Sequence, residues 1–471
     1  MKCWIAVAAI VVIATPAALA GPLKDYVDHP DPNFTYSLAS TIEGAGYRGY
    51  VLDMTSQSWR EGDVTPHLWK HWVTIVVPDS VAHDKALLVV SGGNNKHDRP
   101  PRAVDRVIAM VATMTRSVLV ELQGIPSEPV EFSDETRTRT EDEIISYTFD
   151  KYLTTGDPTW PLLCPMVKSA VRAMDAAQEF CRDEVSPSIA LNAFVLTGAS
   201  KRGWTSWLTA AVDKRVVAVA PIVIDMLNLD EQMKRQYSYY QSYSEAIQDY
   251  TDFNIQERMD TPEGRQLLKI VDPYEYRDVL TMPKFVLLGS GDQYWTVDAA
   301  DLYFNDLRGE KYIRYEPNAD HGIDNSQASI MALVAFYNSI LTATPLPKFT
   351  WSIRPDGSFT VKTTDQPKEV RIWMAHAPTK DFRLMTIGEA WFSEVVPPAG
   401  AGVYKGQVPA PEQGYNAFFV ELVYPSTLGF DYSLTTLAAI PGPAKSPVSL
   451  AILAVPVVLL IGVVIFMVRR K

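Results

Sequence analysis

The feature that most constrains this chain is an alternation. From about residue 47 to residue 346, short β-branched apolar runs take turns with segments of helical period. The runs are 73–77, 86–91, 117–122, 193–198, 216–224, 284–289 and 311–315. Helical spacing fits 102–114, 166–180, 201–212, 299–307 and 327–344. Strands joined through helices pair in parallel, because each helix carries the chain back to the edge it left. The expected fold class is therefore α/β, with a mostly parallel sheet.

Two stretches interrupt the alternation. Residues 126–161 are polar and charged, and 225–282 are rich in Tyr, Gln and charge. Both fall where a cap over a site at the sheet edge would be inserted, so 21–346 reads as one α/β domain with two cap insertions. After Pro345-Leu346-Pro347 the pattern changes. Strand-like runs at 349–353, 358–363, 369–375, 404–407, 416–424 and 434–439 are separated by turn signals such as Pro355-Asp356-Gly357. Residues 347–440 thus read as a small all-β sandwich, and 441–447 as a stiff linker.

Both ends of the chain are apolar. Lys2, an apolar run over 5–13 and Ala17-Ala18-Leu19-Ala20 read as a secretory signal peptide cleaved after Ala20. Residues 448–468 are uncharged and apolar, about the length that a ~30 Å hydrocarbon core requires. Arg469-Arg470-Lys471 follow at once and favour the cytoplasmic side, which fits a stop-transfer helix better than a lipid-anchor signal. The expectation is a single-pass protein of the plasma membrane or another secretory-pathway membrane, with its N-terminal part outside. Export makes Asn33, in Asn33-Phe34-Thr35, a candidate glycosylation site.

Charge narrows the partners. The chain carries 43 basic and 55 acidic residues; without Lys2 and the three terminal basic residues, 39 remain against 55, a net of −16. A nucleic-acid binder would carry the opposite excess, so none is expected as a partner. The membrane contact expected is the C-terminal helix, and a cell-surface or secreted protein is the expected macromolecular partner. Export also invites a disulfide between Cys164 and Cys181. Residues 166–180 read as one amphipathic helix, however, whose ends lie ~20 Å apart at 1.5 Å per residue. A bridge needs Cα atoms within about 7 Å, so the two cysteines are expected to be unpaired.

The strongest chemical signal is Ala193-Phe194-Val195-Leu196-Thr197-Gly198-Ala199-Ser200-Lys201-Arg202-Gly203. An apolar strand runs into Gly-x-Ser and a helix begins directly after it. Such a turn thrusts a serine hydroxyl out of a sheet and needs small neighbours, because the backbone folds closely around it. The usual pattern has glycine two positions after the serine; here Arg202 stands there and Gly203 follows. The competing reading is an N-cap serine opening a helix.

Serine needs a base, and the base needs an orienting group. The strand at 284–289 leads to Ser290-Gly291-Asp292-Gln293, and the strand at 311–315 to Asn318-Ala319-Asp320-His321-Gly322. The order Ser200, Asp292, His321, each after a successive strand, is that of α/β-hydrolases. Asp225, which also follows a strand, is the alternative acid, and Asp298 reads as the N-cap of the next helix. An oxyanion would take the amide of Lys201 and one from Ser91-Gly92-Gly93-Asn94-Asn95, with Gly93 or Asn94 as the donor. A metal site is not expected: His67 and His71 have i, i+4 spacing but lack the glutamate of a zinc motif. No cofactor is expected. The aromatic stretch 237–243 reads as a packed helix face or a pocket wall.

Taken together, 197–204, 216–228, Gly289-Ser290-Gly291-Asp292-Gln293, Asn318-Ala319-Asp320-His321, Trp373-Met374-Ala375 and Lys380-Asp381-Phe382-Arg383 resemble the PhoPQ-activated pathogenicity-related (PqaA-type) family. The resemblance covers about 26–441. It implies an α/β-hydrolase-like domain followed by a small β-domain. It also implies kinship with a bacterial protein linked to antimicrobial-peptide resistance and an amoebal proliferation repressor and chemorepellent. An anchor at 448–468 departs from that pattern. Two functions follow as expectations: a membrane-anchored extracellular serine hydrolase acting on an ester or amide, or a non-catalytic signalling ectodomain on the same scaffold.

Overall fold

The computed structural model describes residues 21–323 and 326–442. The segments that the sequence analysis reads as a signal peptide (1–20) and a membrane helix (448–468) lie outside the described residues. Among those described, no helix is long and apolar enough to cross a membrane.

Nine strands form the central sheet: β1 (Thr35–Gly44), β2 (Tyr47–Ser58), β3 (Leu68–Pro78), β4 (Lys85–Val90), β5 (Leu119–Leu122), β6 (Ala193–Ala199), β7 (Val216–Ile222), β8 (Lys284–Gly289) and β9 (Lys311–Glu316). Their order is β1-β2-β3-β5-β4-β6-β7-β8-β9. The first three strands and β5 pair antiparallel, and β5 through β9 run parallel. The sheet is therefore mixed. The antiparallel wing arises where short turns, rather than helices, join β1 to β2 and β2 to β3.

Strands β6 and β8 are buried on both faces, as parallel strands between helical layers must be. Their residues divide with period two. Leu88, Leu196, Val286 and Leu288 face a core shared with the helix Leu163–Asp183. Leu87, Val195, Phe285 and Leu287 face a second core shared with the helices Arg106–Thr115 and Gln327–Thr342. Cys164 and Cys181 both lie on the helix Leu163–Asp183, buried and free. The segment read as a helix over 299–307 is instead two 3₁₀ turns, Ala299–Leu302 and Phe304–Asp306.

Residues 126–161 contain the helix Glu141–Thr155, and 225–282 contain helices at Leu229–Tyr240, Gln248–Thr251, Ile255–Arg258 and Pro262–Val271. The two stretches pack on each other. Arg258 pairs with Asp150 at 2.5 Å, and the Tyr250 hydroxyl donates to Asp142 at 3.1 Å.

Two four-stranded antiparallel sheets follow. One holds Phe349–Ile353, Ser358–Thr363, Val403–Gln407 and Pro398–Gly400; the other holds Phe392–Val395, Glu369–Ala377, Tyr415–Pro425 and Asp431–Thr435. Phe359, Val361, Ile372, Phe418 and Leu422 fill the space between them, and this core is continuous with the second core of the α/β domain. The junction also has a polar centre. Buried Arg314, on β9, reaches Glu316 at 2.8 Å and Glu421 at 3.2 Å. Glu421 also accepts from Trp373 Nε1 at 2.8 Å.

Candidate active site

The carboxyl ends of β4, β6, β7, β8 and β9 all open on one edge of the sheet, where parallel strands present their loops together. Ser200 stands directly after β6. Its backbone adopts φ 57°, ψ −130°, a conformation that costs a non-glycine residue about 1–3 kcal/mol. Its amide donates to the Ile222 carbonyl at 2.8 Å, and its hydroxyl caps no helix amide. The turn is held by close backbone approach. A Cβ on Gly198 would lie 2.7 Å from the Arg202 carbonyl, and one on Gly203 would lie 2.8 Å from the Gly198 carbonyl oxygen. Gly203 thus packs where small size is needed, and Arg202 is free to carry a long side chain.

That side chain ties the turn to its surroundings. Arg202 donates to both carboxylate oxygens of Glu141, at 3.0 and 2.8 Å, and to the Ile125 carbonyl. Its guanidinium lies against Gly92, where a Cβ would come within 2.9 Å of Nη2. Lys201 is buried too, with Nζ 2.5 Å from Glu141 and 3.6 Å from Asp142. Burial alone would raise the Glu141 carboxyl, but Arg202 and Lys201 outweigh it and hold the group at about 2. Beside it, burial and then the neighbouring Glu141 push Glu128 up to about 7.

The three residues Ser200, His321 and Asp292 converge. His321 Nε2 lies 2.8 Å from Ser200 Oγ, and His321 Nδ1 lies 2.8 Å from Asp292 Oδ2. Asp292 Oδ1 accepts from the Tyr294 amide at 2.8 Å, and Gln293 Oε1 accepts from the His321 amide at 3.1 Å. The Tyr294 ring covers the imidazole at 4.3 Å between centroids. The C-terminal sheets reach in as well. Asn318 exchanges two hydrogen bonds with the Trp391 backbone, at 2.9 and 2.8 Å. The Leu384 amide donates to the Gly291 carbonyl at 2.8 Å.

Ser200 and His321 open on a small cavity of about 50 Å³. Its wall is largely apolar, with Phe149, Trp204, Ile224, Leu229, Met233 and Met259, and residues of both inserted stretches contribute. Lys201 lines it; Gly93 and Asn94 do not. Gly93 instead packs on Gly124, and the Asn94 side chain accepts from the Lys96 amide at 2.9 Å. Lys201 is the first residue of its helix, so its amide has no intrahelical acceptor.

Asp225 lies outside the hydrogen-bonded chain. It is 3% exposed, its Oδ1 has no partner among the described residues, and burial raises it to about 8, with Asp292 and Asp298 adding to the rise. Asp298 precedes the 3₁₀ turn at Ala299 but caps nothing; it accepts from Tyr239 at 2.8 Å. His67 and His71 serve separate contacts, to Ser58 at 3.0 Å and to Ser56 at 3.0 Å. Burial lowers His71 to about 4. Asn33 is exposed in a turn before β1. Tyr237, on the helix Leu229–Tyr240, is exposed.

The family model described as "PhoPQ-activated pathogenicity-related protein" matches residues 23–383. The chain belongs to the PhoPQ-activated pathogenicity-related family. Its similarity extends to "Autocrine proliferation repressor protein A" of Dictyostelium discoideum, 35% identical over 428 residues, or 86% of each chain. Among solved structures, acetyl xylan esterase 1 from Thermoanaerobacterium sp. JW/SL YS485 overlays with a TM-score of 0.45 at 15% identity. It covers 68% of this chain and 92% of its own. An acetyl xylan esterase from Paenibacillus sp. R4 overlays at 0.47 and 13% identity, covering 67% and 92%. Within this family member, Gln256 on the cavity wall, Arg202 beside the Ser200 turn and Trp391 behind the His321 loop carry no sequence signal for those places.

Proposed function

We propose that this family member is a serine hydrolase that cleaves an ester or amide through an acyl-enzyme. The observation that carries the reading is the unbroken Asp292–His321–Ser200 hydrogen-bond chain, 2.8 Å at each link, on the wall of an apolar cavity. His321 Nε2 accepts the Ser200 proton as Oγ attacks the substrate carbonyl. The oxyanion takes the Lys201 amide as one donor. Asp292 holds the Nδ1 proton in place and steadies the imidazolium that forms. His321 then protonates the leaving group, and water, activated by the same imidazole, releases the acid.

The reading places the chain outside a membrane, tethered through 448–468. A second reading, a signalling ectodomain without catalysis, is favoured by the similarity to "Autocrine proliferation repressor protein A" of Dictyostelium discoideum. Burst kinetics separate the two. Full-length protein mixed with p-nitrophenyl acetate should release about one equivalent of p-nitrophenol per chain before steady turnover, and Ser200→Ala should abolish the burst. A wild-type protein with no burst and no turnover would favour signalling.

A further inference from the structure

The polar groups around the cavity at Ser200 are mostly engaged with each other. Tyr250 donates to Asp142 at 3.1 Å and Tyr294 to the same carboxylate at 3.4 Å, while Lys201 pairs with Glu141 at 2.5 Å. Three buried polar atoms of the lining residues have no partner among the described residues: Gln256 Oε1, Gln256 Nε2 and Trp295 Nε1. Gln256 is 7% exposed. It sits on the short helix Ile255–Arg258, whose Arg258 is pinned to Asp150 at 2.5 Å. A buried polar atom left unpaired gives up the hydrogen bond it would make to water, so a carboxamide with neither end paired, in a largely apolar wall, is a costly place to put glutamine.

We propose that Gln256, aided by Trp295, recognises an amide carried on the acyl half of the substrate, next to a large apolar group. The proposal rests on the hydrolase reading and names its substrate class. A carboxamide offers one acceptor and donors on one edge. An acylamino group, or one residue of an extended peptide, presents its own N–H and C=O to match. A plain hydrocarbon acyl chain would leave all three atoms unpaired. A polyol would bring more hydroxyls than the apolar wall can satisfy. A site built to pair buried polar atoms rejects an analogue that lacks them, because the loss falls on the site as well as the ligand.

The test uses two p-nitrophenyl esters on the full-length protein, that of N-acetyl-L-phenylalanine and that of 3-phenylpropanoic acid, which lacks the acetamido group. Gln256→Leu should lower kcat/KM for the first about tenfold or more and leave the second unchanged or faster. Gln256→Glu, which removes the amide donor and keeps the side chain's length, should shift the ratio in the same direction. Labelling by a fluorophosphonate should still occur on Ser200 in all three proteins, which shows that each is folded. Equal losses on both esters, or no change on either, with labelling intact, would overturn the recognition and spare the hydrolase. Wild-type protein that neither labels nor turns over either ester would overturn both.

Discussion

The proposed nucleophile, Ser200, and the proposed base, His321, are held by different parts of the molecule. Ser200 is fixed by its own neighbourhood: the turn between β6 and the helix Lys201–Val212, closed by Gly198 and Gly203, with Arg202 bracing the outside. Asp292 and His321 sit on loops that need support from far along the chain. Trp391 grips Asn318 from 73 residues away, and Leu384 lies against Gly291. The hydroxyl is therefore placed by local backbone geometry and the imidazole by domain packing. The β-domain belongs to the site even though none of its side chains lines the cavity.

The largest effects should come from the hydrogen-bond chain itself. Ser200→Ala and Asp292→Asn should each lower kcat for a test ester by on the order of 10⁴-fold. Asp225→Asn should stay within about tenfold, and a collapse there would exchange the two acids. Next come the supports. Asn318→Ala removes both bonds to Trp391 and should cut kcat about 10- to 100-fold with little change in KM, since small misplacements of a base are costly. Arg202→Leu should instead act on stability, by about 1–3 kcal/mol in denaturant melts, because Glu141 loses its bidentate partner. If Arg202→Leu lowers kcat more than Asn318→Ala does, the contrast between the two halves fails.

The elbow was legible in sequence because every contact that makes it lies within a few residues. The α/β alternation was legible for the same reason. The support of the His321 loop was not, since nothing in Asn318 or Trp391 announces a partner far along the chain. Nor was the long antiparallel pair β1 and β2: exposed Thr35, Ser37, Thr41 and Glu43 dilute the pattern of β1, and buried Ser56 and Gln57 interrupt that of β2. The helix Glu141–Thr155 was hidden by the charge in its first turn. Gln256 carried no motif at all; only its burial without a partner marks it. Asp225 and Asp292 looked alike in sequence, each after a strand, and the hydrogen bond between Asp292 and His321 separates them.

The smallest effect concerns pH. Asp225 is raised to about 8, above its ordinary value of 3.8. Between those values the folded chain keeps a proton there that the unfolded chain has released, so stability from this group falls as pH rises through that window. Asp225→Asn should therefore flatten the decline in Tm between pH 5 and pH 8. A mutant whose Tm falls as steeply as wild type would place the proton elsewhere.

The most direct measurement is the rate at which a fluorophosphonate labels full-length protein, with the modified residue located by mass spectrometry. The account expects one label per chain, on Ser200, slowed on the order of 10³-fold or more by His321→Ala. No label on folded wild-type protein, or a rate indifferent to His321, would contradict it.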